Sequence, residues 1–280
     1  AIPSDAYKAR VIRESHSYPG LATDILTNKR TGAREIVAVA PRRQDEARLD
    51  AAFDIHVSPR HAGAPAEEQV LAPADRAHYL RSEPKARVDD PAAAEVLASM
   101  DLAKADRAKV LDTIFEYCSE RISYEEGGPS DAAAVLRQGV ASPLGRARAM
   151  LVLCRGRHIP ARLVAGFTLS HTGEARPQVW IEASVGNRWV PYDPENGLAA
   201  DLPPAYLPVQ RDGVHLLAAP EDAECRAEYS LERLPPPIQI GAGPAFVLHE
   251  VFDLTRLPPG MRQTLTLILL LPVGALITSL

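Results

Sequence analysis

The stretch ARLVAGFTLSHTGEARPQVWIEASVGNRWVPYDP, residues 161–194, decides the fold. Apolar side chains recur at every second position through residues 162–169 and again through 178–184, which is the period of half-buried β-strands. A third strand is expected at 188–192. The turn around Gly186 is short enough to join the last two strands as an antiparallel hairpin. The stretch therefore predicts an antiparallel β-meander.

Helical patterns precede the meander. Residues 93–125 carry apolar side chains at intervals of three and four, which predicts a helix with one buried face. That face consists of Ala108, Leu111, Phe115, Cys118 and Ile122. Ser130 is an expected N-cap for a short helix that ends at Gln138, where Gly139 suits the C-terminal stop. A further helix is expected from Pro143 to about Arg157, with proline in its first turn.

The flanking regions give weaker patterns. Residues 34–40 and 51–57 favour strands, so residues 1–92 are interpreted as a small β-rich N-terminal module followed by a loop-rich linker over 58–92. Prolines punctuate residues 201–260, the proline-rich extension, where 228–234 favours a strand and 246–254 is a short apolar segment.

The last residues, 264–280, contain no charge, and as a helix they would span about 25 Å of a bilayer core of about 30 Å. They predict the start of a transmembrane segment, with a buried C-terminal helix as the alternative.

Composition excludes some classes of function. The formal net charge is −5 and the basic residues are interleaved with acids, so a nucleic-acid-binding role has no electrostatic basis. The three cysteines, Cys118, Cys154 and Cys225, lack metal-ligand spacing. Neither a metal site nor a cofactor is predicted.

Several landmarks occur together in the predicted α+β region. They are Ile122-Ser123-Tyr124, Ile159-Pro160-Ala161-Arg162 with Gly166, Trp180-Ile181-Glu182 and Trp189-Val190-Pro191-Tyr192-Asp193-Pro194. Together they resemble the transglutaminase-like fold, which is related to papain. The resemblance implies that helices pack on an antiparallel sheet in a core spanning residues 93–200, with a Cys–His–Asp triad in active relatives.

Two of the three triad positions carry other residues. The position of the nucleophilic Cys, sixteen residues before Ile159, is Pro143, and the position of the His, two residues before Trp180, is Gln178. Only Asp193 remains. Because proline has no nucleophile and an amide accepts no proton near neutral pH, the resemblance implies that the chain is not an enzyme.

Replacement groups are not well placed in the sequence. Ser142 needs a base that the pattern does not supply, and His171 falls in an expected loop. Cys154 lies about 16 Å further along the same predicted helix and shares a face with Ala147 and Leu151, so it is interpreted as a buried apolar residue.

The order of a degenerate core before an apolar segment resembles the inactive transglutaminase-like domains fused to seven transmembrane helices in bacteria. This resemblance implies a non-catalytic domain on the periplasmic side of the inner membrane. It would bind a peptide, a cell-wall fragment or a partner protein through a cleft lined by Ser142, Gln178, Trp180 and Asp193. Core packing is an equal alternative for Trp180, and Asp193 could instead cap local backbone N–H groups.

Genes of that family often lie beside those of an ATP-grasp ligase and a retropepsin-like protease, which suggests a functional link. The alternative function is a cysteine peptidase or amide transferase that works through non-standard residues.

Overall fold

The structure is a computed structural model that describes residues 1–6, 8–39, 47–58, 70–169, 175–218 and 226–232. The described residues belong to one compact unit, Ala1–Glu232. The expectations for His171, Cys225, the apolar segment 246–254 and the membrane segment 264–280 lie outside the described residues. Within the described ranges, no helix is both long and apolar enough to cross a membrane.

The described part of the N-terminal region contains four strands in two antiparallel pairs, β1 with β4 and β2 with β3. Their bounds are β1 (Ala9–Ser17), β2 (Ala22–Thr27), β3 (Arg34–Val39) and β4 (Asp50–Val57). The strands expected at 34–40 and 51–57 are confirmed as β3 and β4. Most side chains of these strands are exposed, because two-stranded pairs have little sheet surface to bury.

The segment expected to be a loop-rich linker is more ordered than the sequence indicated. It contains α1 (Pro73–His78), and Tyr79 and Ala86 are each only 1% exposed. Proline usually indicates a loop, but it is favourable in the first turn of a helix, where α1 begins.

The single helix expected over 93–125 is interrupted. The chain forms α2 (Pro91–Ser99), α3 (Arg107–Glu116) and a π-helical turn at Tyr117–Arg121. Asp106 starts α3 by accepting a hydrogen bond from the Lys109 N–H at 2.8 Å. The predicted buried face holds at Leu111, Cys118 and Ile122, whereas Ala108 is exposed.

The next two helices agree more closely with the sequence. A short parallel pair, β5 (Ser123–Tyr124) with β6 (Val140–Ala141), flanks α4 (Ala132–Gln138). The N-cap of α4 is Asp131 rather than the expected Ser130, and Gly139 ends the helix with φ of 70°. The long helix α5 (Pro143–Gly156) begins at the expected proline.

A five-stranded antiparallel sheet completes the core, in the order β10-β9-β8-β7-β11. The strands are β7 (Ala161–Leu169), β8 (Ala175–Val185), β9 (Arg188–Asp193), β10 (Leu198–Ala199) and β11 (Tyr206–Arg211). The predicted meander is confirmed. Strands β10 and β11 were not predicted, because β11 contains a proline within a proline-punctuated region. The strand expected at 228–234 is wrong for residues 228–232, which have no regular structure.

Helix α5 packs against β7 and β8, as expected for this fold. The helix-facing side of the sheet carries Leu163, Ile181 and Tyr192, which join buried side chains of α5 in one apolar core. Since side chains alternate across a strand, Trp180 and Asp193 lie on the other face. Trp180 accordingly belongs to a separate cluster with Val164 and Leu202.

Candidate functional site

Gln178 and Asp193 meet on the sheet face opposite the α5 core. The pairing of β8 with β9 places Ile181 opposite Tyr192, so the end of β9 lies beside the middle of β8. The Gln178 Nε2 donates a hydrogen bond to Asp193 Oδ2 at 3.0 Å. Two of the three predicted triad positions are therefore in direct contact.

Asp193 is fully buried, and both of its carboxylate oxygens accept several hydrogen bonds. Oδ1 accepts from the backbone N–H groups of Glu195 at 3.0 Å and Asn196 at 3.2 Å. Oδ2 accepts from Gln178, from Asn196 Nδ2 at 2.8 Å and from the Tyr206 hydroxyl at 2.7 Å. The possibility that Asp193 caps local backbone N–H groups is confirmed, and the cap extends to three side chains.

Tyr206 joins this network to the apolar side of the site. Its hydroxyl accepts a hydrogen bond from Asn196 Nδ2 at 3.1 Å, and its ring meets the Trp180 ring edge-on with centroids 5.5 Å apart. Burial and the hydrogen bond to Asp193 raise the pKa of Tyr206. The hydroxyl therefore keeps its proton and remains a donor to Asp193.

Trp180 is 2% exposed, so it supports the site from beneath and offers almost no surface to a ligand. Gly166, paired with Gln178 across β7 and β8, allows this packing. A Cβ at Gly166 would lie 2.0 Å from the Leu207 carbonyl oxygen and 2.9 Å from the Trp180 ring. The absence of a side chain at Gly166 thus lets β11 and Trp180 approach β7 closely.

The start of α5 is fully engaged in local contacts. The Ser142 hydroxyl accepts a hydrogen bond from the Gly145 N–H at 3.2 Å and donates to the Pro129 carbonyl at 3.2 Å. Ser142 is therefore an N-cap, and its expected place in a ligand cleft has no support from these contacts. Among the described residues, no hydrogen bond joins Ser142 to Gln178 or Asp193.

Arg146, one turn into α5, links the helix to the segment that follows Asp193. It is 6% exposed, and its guanidinium donates to the Ile122 carbonyl at 2.7 Å and to the Pro194 carbonyl at 3.3 Å. It also lies 3.1 Å from Glu195 Oε2 as an ion pair. The helix start and the Asp193 turn are thereby held together.

Sequence reasoning missed Asn196, Tyr206 and Arg146. The run Asp193-Pro194-Glu195-Asn196-Gly197 has the composition of a turn in which an aspartate accepts from N–H groups two and three residues on, and this signal could have identified Asn196. Tyr206 and Arg146 reach the site through tertiary contacts, and no local pattern indicates them.

Comparison with known proteins identifies the fold. A family model described as the transglutaminase-like superfamily matches residues 94–194. Residues 94–194 form a transglutaminase-like domain. None of the curated proteins compared with the chain matches it.

Two solved structures are similar to the chain. A candidate cysteine protease from Cytophaga hutchinsonii is 15% identical with a TM-score of 0.54, and the match covers 75% of this chain and 73% of that one. The periplasmic domain of TgpA from Pseudomonas aeruginosa, bound to ethylmercury, is 18% identical with a TM-score of 0.42, covering 71% and 78% respectively. At 15% identity, the match to the Cytophaga hutchinsonii structure supports the fold alone.

The described thiols of the domain are inert. Cys118 and Cys154 are both buried. Burial raises the pKa of Cys154 to about 12 and raises the pKa of Cys118 well above its ordinary value. Both thiols stay protonated at neutral pH, and a protonated thiol is a poor nucleophile. Within the described ranges, no group of three or more His, Cys, Asp or Glu side chains is placed to bind a metal ion.

Proposed function

We propose that this transglutaminase-like domain is a non-catalytic binding domain, and that it binds a peptide, a cell-wall fragment or a partner protein at the polar cluster around Gln178. One observation carries the proposal. Gln178, at the position of the base, donates to Asp193 as a catalytic histidine would, yet its amide cannot take a proton. Pro143 supplies no nucleophile at the start of α5.

The remaining nucleophiles do not favour the alternative of a peptidase or amide transferase. Such an enzyme needs a thiol or hydroxyl within about 3 Å of a base. The Ser142 hydroxyl is already hydrogen-bonded to Pro129 and Gly145. The thiols of Cys118 and Cys154 are buried and protonated. Binding without turnover is the simpler use of this arrangement.

The parts of the site that a ligand could reach are polar. Gln178 is half-buried and Asn196 is exposed, whereas Asp193 and Trp180 lie beneath them. A rigid base under two reachable amides suits recognition, because side chains held in one orientation lose little freedom on binding.

The wider setting is also part of the proposal. The domain would lie on the periplasmic side of a bacterial inner membrane, ahead of a membrane-entering segment at 264–280 that has no charged residue. A functional link to an ATP-grasp ligase and a retropepsin-like protease would place it among envelope proteins that handle peptides.

A chain ending at Pro259 should keep its melting temperature and lose its affinity for lipid vesicles. A melting temperature lowered by about 10 °C would instead assign the segment to the folded core.

The binding role is tested with muropeptides released from bacterial peptidoglycan and with the capped peptide carbobenzoxy-Gln-Gly. Each is titrated into the ¹⁵N-labelled full chain. The proposal expects saturable shifts at the side-chain amides of Gln178 and Asn196, with every probe recovered unaltered. Gln178→Leu should weaken binding as measured at the Asn196 side-chain amide, and Asp201→Asn, at an exposed carboxylate that pairs with Lys8, should leave that binding unchanged. Conversion of a probe to product by the wild-type chain would overturn the proposal.

A further inference from the structure

The hydrogen-bond network below Gln178 fixes which end of its amide faces outward. Asp193 Oδ2 lies 3.0 Å from the amide nitrogen of Gln178. A flipped amide would set two acceptor oxygens against each other at this distance, beside a fully buried carboxylate. The Nε2 therefore points inward, and the Oε1 points away from Asp193.

The same network fixes the orientation of the Asn196 side-chain amide, with its nitrogen facing inward. Its Nδ2 donates both to Asp193 Oδ2 and to the Tyr206 hydroxyl oxygen, at 2.8 and 3.1 Å. The Tyr206 hydroxyl in turn spends its proton on Asp193. One N–H of Gln178, both N–H groups of Asn196 and the Tyr206 proton are thus directed at the buried carboxylate or at one another, and the amide oxygens of Gln178 and Asn196 point away from that carboxylate toward a ligand.

The charge around the cluster also disfavours anionic ligands. Asp193 has hydrogen-bond donors around it but, within the described ranges, no cationic side chain in an ion pair with it, while Arg146 is paired with Glu195. The acceptor oxygens therefore sit above a buried negative charge. A carboxylate or phosphate ligand would meet both an unfavourable field and two acceptors.

We infer that the site selects ligands that present N–H donors, and rejects ligands that present anionic groups. This inference rests on the proposed binding function and adds the chemistry of the ligand to it. Tyr206 is a positioning residue, because it acts by holding Asp193 and, through it, the orientation of the Gln178 amide. Asn196 holds Asp193 through its Nδ2 and faces the ligand with its Oδ1. A peptide amide and an ammonium group both supply the required N–H donor.

Three matched probes test this selection on the ¹⁵N-labelled full chain. N-acetyl-Ala-Ala-amide presents N–H donors, N-acetyl-Ala-Ala presents a carboxylate, and N-acetyl-Ala-Lys-amide adds an ammonium. The amide is expected to bind at least about tenfold more tightly than the carboxylate. Tighter binding of the lysine probe would assign an ammonium ligand, and equal binding of the two amides would assign a peptide N–H ligand.

Asp193→Asn gives the sharpest variant. The backbone N–H groups of Glu195 and Asn196 need an acceptor, so the new amide must turn its Nδ2 toward Gln178. The Gln178 amide then flips, its Nε2 faces the ligand, and the preference should shift toward the carboxylate probe. Gln178→Leu should abolish the discrimination without unfolding the chain, which keeps the test valid if Asp193→Asn is too unstable to study.

The outcomes distinguish failure of the inference about ligand chemistry from failure of the proposed binding function. Equal binding of the amide and carboxylate probes to wild type would overturn the inference and leave the binding function standing. Failure of all probes to shift Gln178 or Asn196 at 10 mM, roughly the weakest useful affinity for such small ligands, would contradict both the binding function and the inference.

Discussion

Replacing Asp193 by asparagine should destabilise the domain, although the two side chains have nearly the same shape. The Oδ2 atom accepts three side-chain hydrogen bonds, at 3.0, 2.8 and 2.7 Å. An amide NH₂ in its place would accept none of these bonds. A flip of the Gln178 amide restores one hydrogen bond, but the donors of Asn196 and Tyr206 lose their acceptor. Because Gln178 and Tyr206 are only half-buried and Asn196 is exposed, water can replace part of each bond. At about 1 kcal/mol for each of these two lost partners, the free energy of unfolding should fall by about 2 kcal/mol.

Thermal unfolding gives the measurement. For a folded unit of this size, about 2 kcal/mol corresponds to a melting temperature lowered by roughly 4–8 °C. The matched control is Asp201→Asn, whose carboxylate is 76% exposed and pairs with Lys8 at the surface. That control should cost less than about 1 kcal/mol. If Asp193→Asn melts within 2 °C of the control, about the shift expected for less than 1 kcal/mol, the network does not anchor the site and the account of its rigidity is wrong.

Other substitutions test the packing and charge of the same domain. Gly166→Ala should lower the free energy of unfolding by about 2–3 kcal/mol, because its Cβ would meet the backbone of β11. The control Gly213→Ala should be tolerated, because its Cβ would come no closer than 3.4 Å to a flexible side chain. Urea titrations measure the stability of both variants. Cys154 should react with iodoacetamide only upon unfolding, and rapid labelling at pH 7, read by mass spectrometry, would contradict its buried, high-pKa environment. Burial acts to raise the pKa of Glu182, but Arg162, 2.6 Å away, and Arg211 together outweigh it and lower the pKa. A lowered pKa stabilises the fold above the ordinary value of 4.5, so Glu182→Gln should be about 3 kcal/mol less stable than wild type at pH 7, with the difference fading as pH falls below 4.5; a constant difference would refute this.

The meander and the long helix could be predicted from sequence because their signals are local. Alternation fixes the strands of residues 162–192, and a serine before a proline fixes the start of α5. The same local reasoning failed where tertiary packing decides. Tyr79 is buried against Trp189 although it lies in a proline-rich stretch, with ring centroids 4.9 Å apart.

The candidate site divides in the same way. Family spacing identified Gln178 and Asp193, and the structure joins them by a hydrogen bond. Family spacing could not identify Tyr206, which lies thirteen residues after Asp193 in sequence. Tyr206 reaches Asp193 only because β11 returns beside β7. Ser142 was placed in the ligand cleft by its neighbourhood in sequence, but its hydroxyl is used as a helix cap.

The most direct test of the central claim is turnover by the unmodified full chain. Release of amine from carbobenzoxy-Gln-Gly, and hydroxamate formation with hydroxylamine, are measured beside a buffer blank at pH 6–8, which brackets the range in which a catalytic imidazole titrates. The account predicts rates equal to the blank, and no change in Cys154→Ala or Ser142→Ala. Turnover above the blank that Cys154→Ala or Ser142→Ala abolishes would show that the domain is an enzyme and contradict the account.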